Sequence, residues 1–377
     1  MFEKFHLKDS AFPVTPGDHD KIPWFGFNNL KSEFQAILDR SSSEYLRLCV
    51  LNRGRLGAGK THAAQYFSAQ YSHLEEVGSY FRFIPIIIES PKQPQKAFVD
   101  FSNRLFNAVT FDQIVQAADN LRRFGDSNKL LLDATGSEDI AAALSKIDND
   151  NRLLTRTYLL GGGTAKELRE IGVAKRLISD HEFALAIVGV LYLLIHGRSE
   201  ERKNFSRILL WVDEMEDLVY FTTRYYLSFT QALREVIDRT NSHLTFMLNF
   251  TFSEPEELPV IENVLGQAIM QRVNQHVIFQ QPGADEMRDY LLDLLKYNRI
   301  EGTKCSPTFP FSNDAFDLLI KAATLKTPRF LNKLCDALLR DLEEHSTFEI
   351  KKTGEIQREV LEEKLPPLLA RLEEDRS

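Results

Sequence analysis

Cysteine is scarce in this 377-residue chain, with only Cys49, Cys305 and Cys335 and no C-x-x-C pair. That scarcity excludes a disulfide framework and a cysteine zinc site, and it fits a reducing cytoplasm. The nine histidines include no H-E-x-x-H spacing, so they read as satisfied surface or core histidines. Long apolar runs are also missing. The longest, Phe183 to Ile195, has 13 residues, against roughly 20 for a membrane span, and reads as a buried helix. The opening "MFEKFHLKD" has no signal-peptide apolar stretch, so a cytoplasmic location and no membrane partner are expected. Excess positive charge is absent too: the net charge is −8 and the pI about 5.7. A surface coated throughout by nucleic acid is thereby excluded, whereas a local basic patch is not. No repeat occurs, and low complexity is confined to "SSS" at 41–43 and "GGG" at 161–163.

What is present is globular: 43% hydrophobic and 27% charged residues, in a length sufficient for two or three domains. The stretch "NRGRLGAGKTHAAQ" follows the apolar run Leu46–Leu51. It fits G-x-x-x-x-G-K-[ST] through Gly54, Gly59, Lys60 and Thr61, with Gly57 and Ala58 inside the loop and His62 just after it. Composition alone produces this pattern in about 1% of chains of this length. Its flanks strengthen it, because a buried strand enters the loop and a helix leaves it. Backbone N–H groups and a helix N-terminus can then converge on a phosphate.

Five strands are predicted at Leu46–Leu51, Phe83–Glu89, Ile208–Val212, Leu244–Phe250 and His276–Phe279. Their near-continuous apolarity is that of parallel strands covered on both faces, and helices separate them. The expected fold is therefore an α/β three-layer αβα sandwich with a parallel sheet. A large helical insertion is expected at about 97–203, and the chain turns helical from Gly283. The last segment reads as a terminal helix broken at Pro366-Pro367.

The stretch "ILLWVDEMEDL" places Asp213 and Glu214 directly after a buried strand. There Asp213 can reach a magnesium ion on the phosphates, with Thr61 as its fellow ligand, and Glu214 can deprotonate the attacking water. Helix N-terminal acids are the plainer reading of such a pair. Asn249, in "FMLNFTFSE", can hold that water or touch the γ-phosphate, with Thr251 as an alternative and a satisfied buried amide as the structural reading.

In this order, the phosphate loop, "LLWVDE", Asn249, "IMQRVNQHVIF" and "TPRFLNKL" resemble the AAA+ ATPases, over about residues 5–110 and 207–345. The chain is most similar to the branch of origin-recognition and Cdc6-like initiators and of TnsC- and ExeA-type regulators. Its opening "FHLKDSAFPVTPGDHDKIPWFGFNNLKSEFQAIL" resembles that of ExeA-like proteins. The resemblance implies an N-terminal segment near the nucleotide at 1–30, an ATPase core at 31–282, a helical lid at 283–345 and a helical tail at 346–377. It implies that Arg329 reaches the γ-phosphate from the lid and that Arg272 reaches a neighbouring subunit's nucleotide. His276 stands where the family often has a second arginine, which weakens that coupling. Trp24 and Phe25, with Phe27, fall where the family's chain passes the adenine; stapling the N-terminal segment to the core is the alternative. Within the insertion, Tyr158-Leu159, Gly161, Leu168-Arg169 and Gly172-Val173 resemble the ATP-binding proteins of BREX-type phage-defence loci.

The leading expectation is thus a magnesium-dependent ATPase that assembles as a homo-oligomer, ring or filament. It would assemble on double-stranded DNA through phosphate contacts and regulate a partner nuclease, helicase or recombinase. Only residues 346–377 follow the lid, where an initiator carries a DNA-reading domain, which favours a TnsC-like or defence-associated regulator. Arg152, Arg156, Lys166, Arg169, Lys175, Arg176, Arg198, Arg202 and Lys203 supply basic charge in and beside the insertion. Glu167, Glu170, Glu200 and Glu201 interleave with them, as on a solvated helical face. A nucleotide-gated signalling switch without DNA is the alternative, and a metabolic P-loop kinase a weaker third.

Overall fold

The computed structural model describes residues 2–8, 11–13, 22–43, 47–72, 81–197, 205–240, 243–252, 258–323, 326–344 and 354–374. Arg198, Arg202 and Lys203 and the Thr-Pro of the opening motif lie outside them. The chain forms two compact units, one of residues 35–53 and 63–278, the other of 1–34, 54–62 and 279–377.

The first unit is built on a sheet. Helix α1 (Asn28–Ser43) precedes β1 (Leu48–Gly54), α2 (Lys60–Ser72) and β2 (Phe81–Glu89). Helices α3 (Ala97–Ala108), α4 (Phe111–Phe124), α5 (Ser127–Thr135), α6 (Glu138–Ser145), α7 (Arg152–Leu159), α8 (Ala165–Glu170) and α9 (Asp180–His196) follow. Then come β3 (Phe205–Asp213), α10 (Thr223–Thr240), β4 (Leu244–Thr251), α11 (Leu258–Met270) and β5 (Gln275–Phe279). The strands form one five-stranded parallel sheet in the order β2-β3-β4-β1-β5. All five fall where continuous apolarity predicts them. Ile208 to Val212 and Leu244 to Phe250 are buried throughout, as parallel strands covered on both faces require. The register pairs Glu89 with Asp213 and Val212 with Leu248, so Glu89 and Asp213 end their strands at the level of Asn249, two residues before the end of β4.

The run Phe183–Ile195 lies within α9, which is apolar all round because it is buried all round. At its start Ser179 and Glu182 exchange the reciprocal bonds of a capping box. Its faces meet α3, α4, α5, α6, α10 and β3, making it the axle of the insertion. At its end Gly197 allows a backbone approach that no side chain permits, since a Cβ there would lie 2.1 Å from the Ala117 carbonyl oxygen. Among the described residues no helix is long and apolar enough to cross a membrane.

The second unit is a helical core of α12 (Ala284–Asn298), α13 (Asn313–Ala323), α14 (Pro328–Glu344) and α15 (Arg358–Glu374). Phe2, Phe5, Leu7 and Phe12 are buried among Leu291, Phe316, Phe330 and Leu338 of these helices. Leu7 bridges Arg299, and the Asn298 and Asn332 amides donate to the carbonyls of Ala11 (3.1 Å) and Pro13 (2.6 Å). The start of the chain is thus a structural part of the helical unit. The expected break at Pro366-Pro367 does not occur, because α15 runs through both prolines. They sit on its exposed face, as do Glu362 and Glu363 four residues earlier, so the carbonyls deprived of a donor are within reach of water.

Candidate nucleotide site

The loop after β1 owes its shape to its glycines. Gly57 and Gly59 adopt φ of +79° and +101°, which side-chain-bearing residues rarely adopt. Gly54 also leaves space, because a Cβ there would fall 2.6 Å from that of Phe279. The Ala58 N–H donates to the Arg55 carbonyl (3.2 Å) and closes the turn. Lys60 opens α2 and is buried, its ammonium donating to the carbonyls of Gly54 (2.7 Å) and Arg55 (3.0 Å). The cation is therefore folded over the loop that the phosphate pattern identifies. Thr61, next along, is exposed.

Arg329 lies at the start of α14, against this loop. A Cβ on Gly57 would meet the Arg329 Cβ at 2.9 Å and the Thr327 Oγ1 at 3.0 Å. Thr327 caps the helix, accepting the Phe330 N–H through its carbonyl (2.9 Å) and its hydroxyl (3.4 Å). Motif glycine and lid arginine are thus in van der Waals contact.

The aromatic segment divides into two roles. Trp24 faces the loop helix, its ring 5.8 Å from that of His62, and its indole N–H donates to the Gly26 carbonyl (2.7 Å). Burial pushes the His62 imidazole below the usual histidine pKa, partly offset by a hydrogen bond to the Pro23 backbone. Phe25 instead packs edge-on against Tyr297 (5.4 Å) and Tyr290 (6.2 Å), and Phe27 against Tyr290 (5.8 Å). The Gly26 N–H donates to Asp293 (2.9 Å). Phe25 and Phe27 therefore staple the segment to α12, while Trp24 presents a ring beside the loop.

In the other unit, the strand ends form a polar chain. The Asn52 amide donates to the Asn249 side-chain oxygen (2.9 Å), and the Asn249 amide donates to Asp213 Oδ1 (3.3 Å), which also accepts the Glu214 N–H (3.0 Å). Asn52 and Asn249 are fully buried and Asp213 nearly so. Asn249 is satisfied on both sides and fixes Asp213. Glu214 takes a left-handed conformation (φ +57°), which costs a residue with a side chain on the order of 1 kcal/mol. Hydrogen bonds hold the turn, from the Ser90 N–H to the Asp213 carbonyl (2.8 Å) and from the Ser90 hydroxyl to the Glu214 carbonyl (2.7 Å).

The Glu214 carboxylate is ion-paired with Lys92, which also binds Asp217 (2.5 Å). Desolvation works against the Lys92 charge, yet hydrogen bonds to Asp217 and Glu214 outweigh it and hold the ammonium above the usual lysine range. Arg272 is engaged within its own unit. It grips Asp238 through Nε (2.6 Å) and Nη2 (2.5 Å) and also donates to the Ala268 carbonyl. That pair holds the Asp238 carboxyl below its ordinary pKa. Burial lowers the pKa of His276.

Sequence reasoning missed Asn52, Lys92 and Thr327. Asn52 reads in the sequence as the polar residue that ends the apolar run, whereas it lies buried within β1. Lys92 carried no signal, since 122 residues separate it from Glu214.

No family model and no curated protein matches the chain. Solved structures do. The ADP form of the Aeropyrum pernix ORC2 protein superposes with a TM-score of 0.52 at 12% identity, over 95% of this chain and 72% of that one. The ADPNP-ADP complexes of the same protein give 0.51 at 10% identity, over 97% and 72%. The Aeropyrum pernix ORC1 protein in complex with DNA gives 0.49 at 13% identity, over 98% and 71%. The fold shared with the ORC2 structures is a parallel αβα sandwich with a helical insertion and a C-terminal helical domain.

Proposed function

We infer that the protein is an ATPase that binds and hydrolyses a magnesium-bound nucleotide. The observation that carries this reading is the close approach of Arg329 and Thr327 to Gly57, in the loop that also holds Lys60. The ORC2 structures of the same fold are of ADP and ADPNP forms, which accords with it. Lys60 neutralises the β- and γ-phosphates on leaving its loop carbonyls, and Gly57, Ala58, Gly59 and His62 line the phosphate side. Trp24 supplies the base-facing ring. Thr61 and Asp213 are hard oxygen donors of the kind magnesium takes, and Asn249 fixes the Asp213 carboxylate in place. Magnesium, when bound, would supply charge neutralisation on the phosphates. Glu214 accepts the proton of the attacking water, and Arg329 offsets charge on the departing γ-phosphoryl group.

Beyond hydrolysis, the reading is of nucleotide-dependent assembly on double-stranded DNA that regulates a partner nuclease, helicase or recombinase. Arg272 completes a neighbouring subunit's site once released from Asp238. A second reading, a slow nucleotide-gated switch that touches no DNA, is favoured by Lys92, which occupies the carboxylate that must act as base. The test is ATP turnover with and without duplex DNA, alongside particle size in a non-hydrolysable analogue. Stimulation by DNA with growth in size supports the first reading; slow turnover indifferent to DNA supports the second.

A further inference from the structure

The basic residues of the insertion are not all spread over a solvated face. Two of them, Arg152 and Arg156, stand one turn apart on α7 and line a cavity of about 300 Å³ with the end of α3 and the start of α4. Phe106 and Val109 lie buried beneath it, and its open walls carry Asn107, Thr110 and Asp112 beside Phe111 and Leu153. Arg156 lies over the Phe111 ring, 5.5 Å from its centroid, and donates to the Asn107 side-chain oxygen (3.2 Å). Neither partner cancels its charge. Arg152 pairs with Asp112 (2.8 Å), but both are well exposed, and such a pair is cheaply exchanged for another carboxylate. Between the arginines Leu153 is 68% exposed at the rim, although it is aliphatic.

We propose that this cavity docks a short acidic segment of a partner protein, in which an apolar side chain enters the pocket and flanking carboxylates meet Arg156 and Arg152. The inference rests on the preceding reading only in supposing a protein partner, since no residue of the nucleotide site takes part. Charge complementarity selects the acid, and Phe111 together with Leu153 selects its anchor. A DNA backbone fits less well. It gains affinity from many cations along a ridge of phosphates, whereas here only two guanidinium groups flank the hollow, Asp112 stands beside them and one of the two is already paired with it.

The experiment selects peptides of about 12 residues from a random displayed library on the full-length protein, in parallel with Arg156→Glu and Leu153→Asp variants. The wild type is expected to enrich sequences with Asp or Glu beside Leu or Phe. The enriched peptide, measured by fluorescence anisotropy, should bind both variants at least about tenfold more weakly, roughly the loss of one charge-assisted contact. Leu153→Asp alters an exposed residue, so the test stands even if Arg156→Glu fails to fold. Binding should persist in Lys60→Ala, which separates failure of this proposal from failure of the ATPase reading. Absence of enrichment over the variants, enrichment of basic peptides, equal affinity for wild type and Leu153→Asp, or displacement of the peptide by duplex DNA would overturn it.

Discussion

Gly57 and Arg329 touch: a Cβ at position 57 would fall 2.9 Å from that of Arg329. The contact ties the phosphate loop to the first turn of α14, so loop geometry and arginine placement are one property. Gly57→Ala adds a clash to a left-handed conformation and should cost about 1–3 kcal/mol, weakening binding of a fluorescent ATP analogue roughly tenfold or more. Unchanged affinity in a folded variant would show that the loop does not need this contact.

Glu214 and Lys92 are expected to behave as opposites. Glu214→Gln should retain nucleotide binding and lose turnover, because amide and carboxylate differ little in shape and wholly in basicity. Lys92→Met should leave binding intact and raise basal turnover several-fold by freeing the carboxylate. A fall in Lys92→Met to the level of Glu214→Gln would instead make Lys92 part of the hydrolytic machinery.

Asn249→Ala removes the centre of a buried chain and strips partners from Asn52 and Asp213. The Asn52 amide so deprived of its acceptor costs about 1–3 kcal/mol, Asp213 loses one of its donors, and the thermal midpoint should fall by several degrees. Asn249→Asp places a second carboxylate against Asp213 and should fall further. A midpoint equal to wild type in either variant contradicts the role given to this chain of hydrogen bonds.

Acid stability has an identifiable contributor in Glu182. Burial works against its charge, but Lys175 (2.6 Å), the N–H groups of Ile178 and Ser179, and the Ser179 hydroxyl together lower its pKa from 4.5 to about 2. With the folded value depressed, its stabilisation is fully present above about pH 4.5 and is lost as pH falls towards 2. The contribution at neutral pH is on the order of 2 kcal/mol. Denaturant unfolding of Glu182→Gln should show lower stability at pH 7 and a flatter decline between pH 4.5 and 2 than wild type. Parallel pH curves would assign the capping interaction no linkage.

Arg272 tests assembly. Mixing Arg272→Ala with Lys60→Ala should restore part of the turnover, since one subunit then offers the arginine and the other an intact loop. A mixture that stays inactive, with specific activity independent of concentration, leaves Arg272 as the partner of Asp238 alone.

The sheet was legible in the sequence because parallel strands buried on both faces leave unbroken apolar runs, and Ile208–Val212 and Leu244–Phe250 needed no other signal. The entry strand was legible only in part. Its predicted end at Leu51 falls three residues short of Gly54, because Asn52 and Arg53 are polar, yet Asn52 is buried where it meets Asn249. The loop glycines were legible because positive φ and close approach restrict the residue type at each site. The Lys92 ion pair was not, since a contact across 122 residues obeys no local period. Nor was the continuity of α15, where exposure of the proline face decided against a break. The division between Trp24 and Phe25 depended on Tyr290 and Tyr297, whose nearness only tertiary structure creates.

The central claim is that the protein hydrolyses ATP with Lys60, Glu214 and Arg329 in separate roles. It is tested most directly by measuring ATP binding and magnesium-dependent phosphate release side by side for wild type, Lys60→Ala, Glu214→Gln and Arg329→Ala. The account predicts loss of binding in Lys60→Ala only, with binding kept and turnover reduced about 100-fold in Glu214→Gln and at least about tenfold in Arg329→Ala. Turnover equal to wild type in both Glu214→Gln and Arg329→Ala, or a wild type that binds no ATP in magnesium, would contradict it.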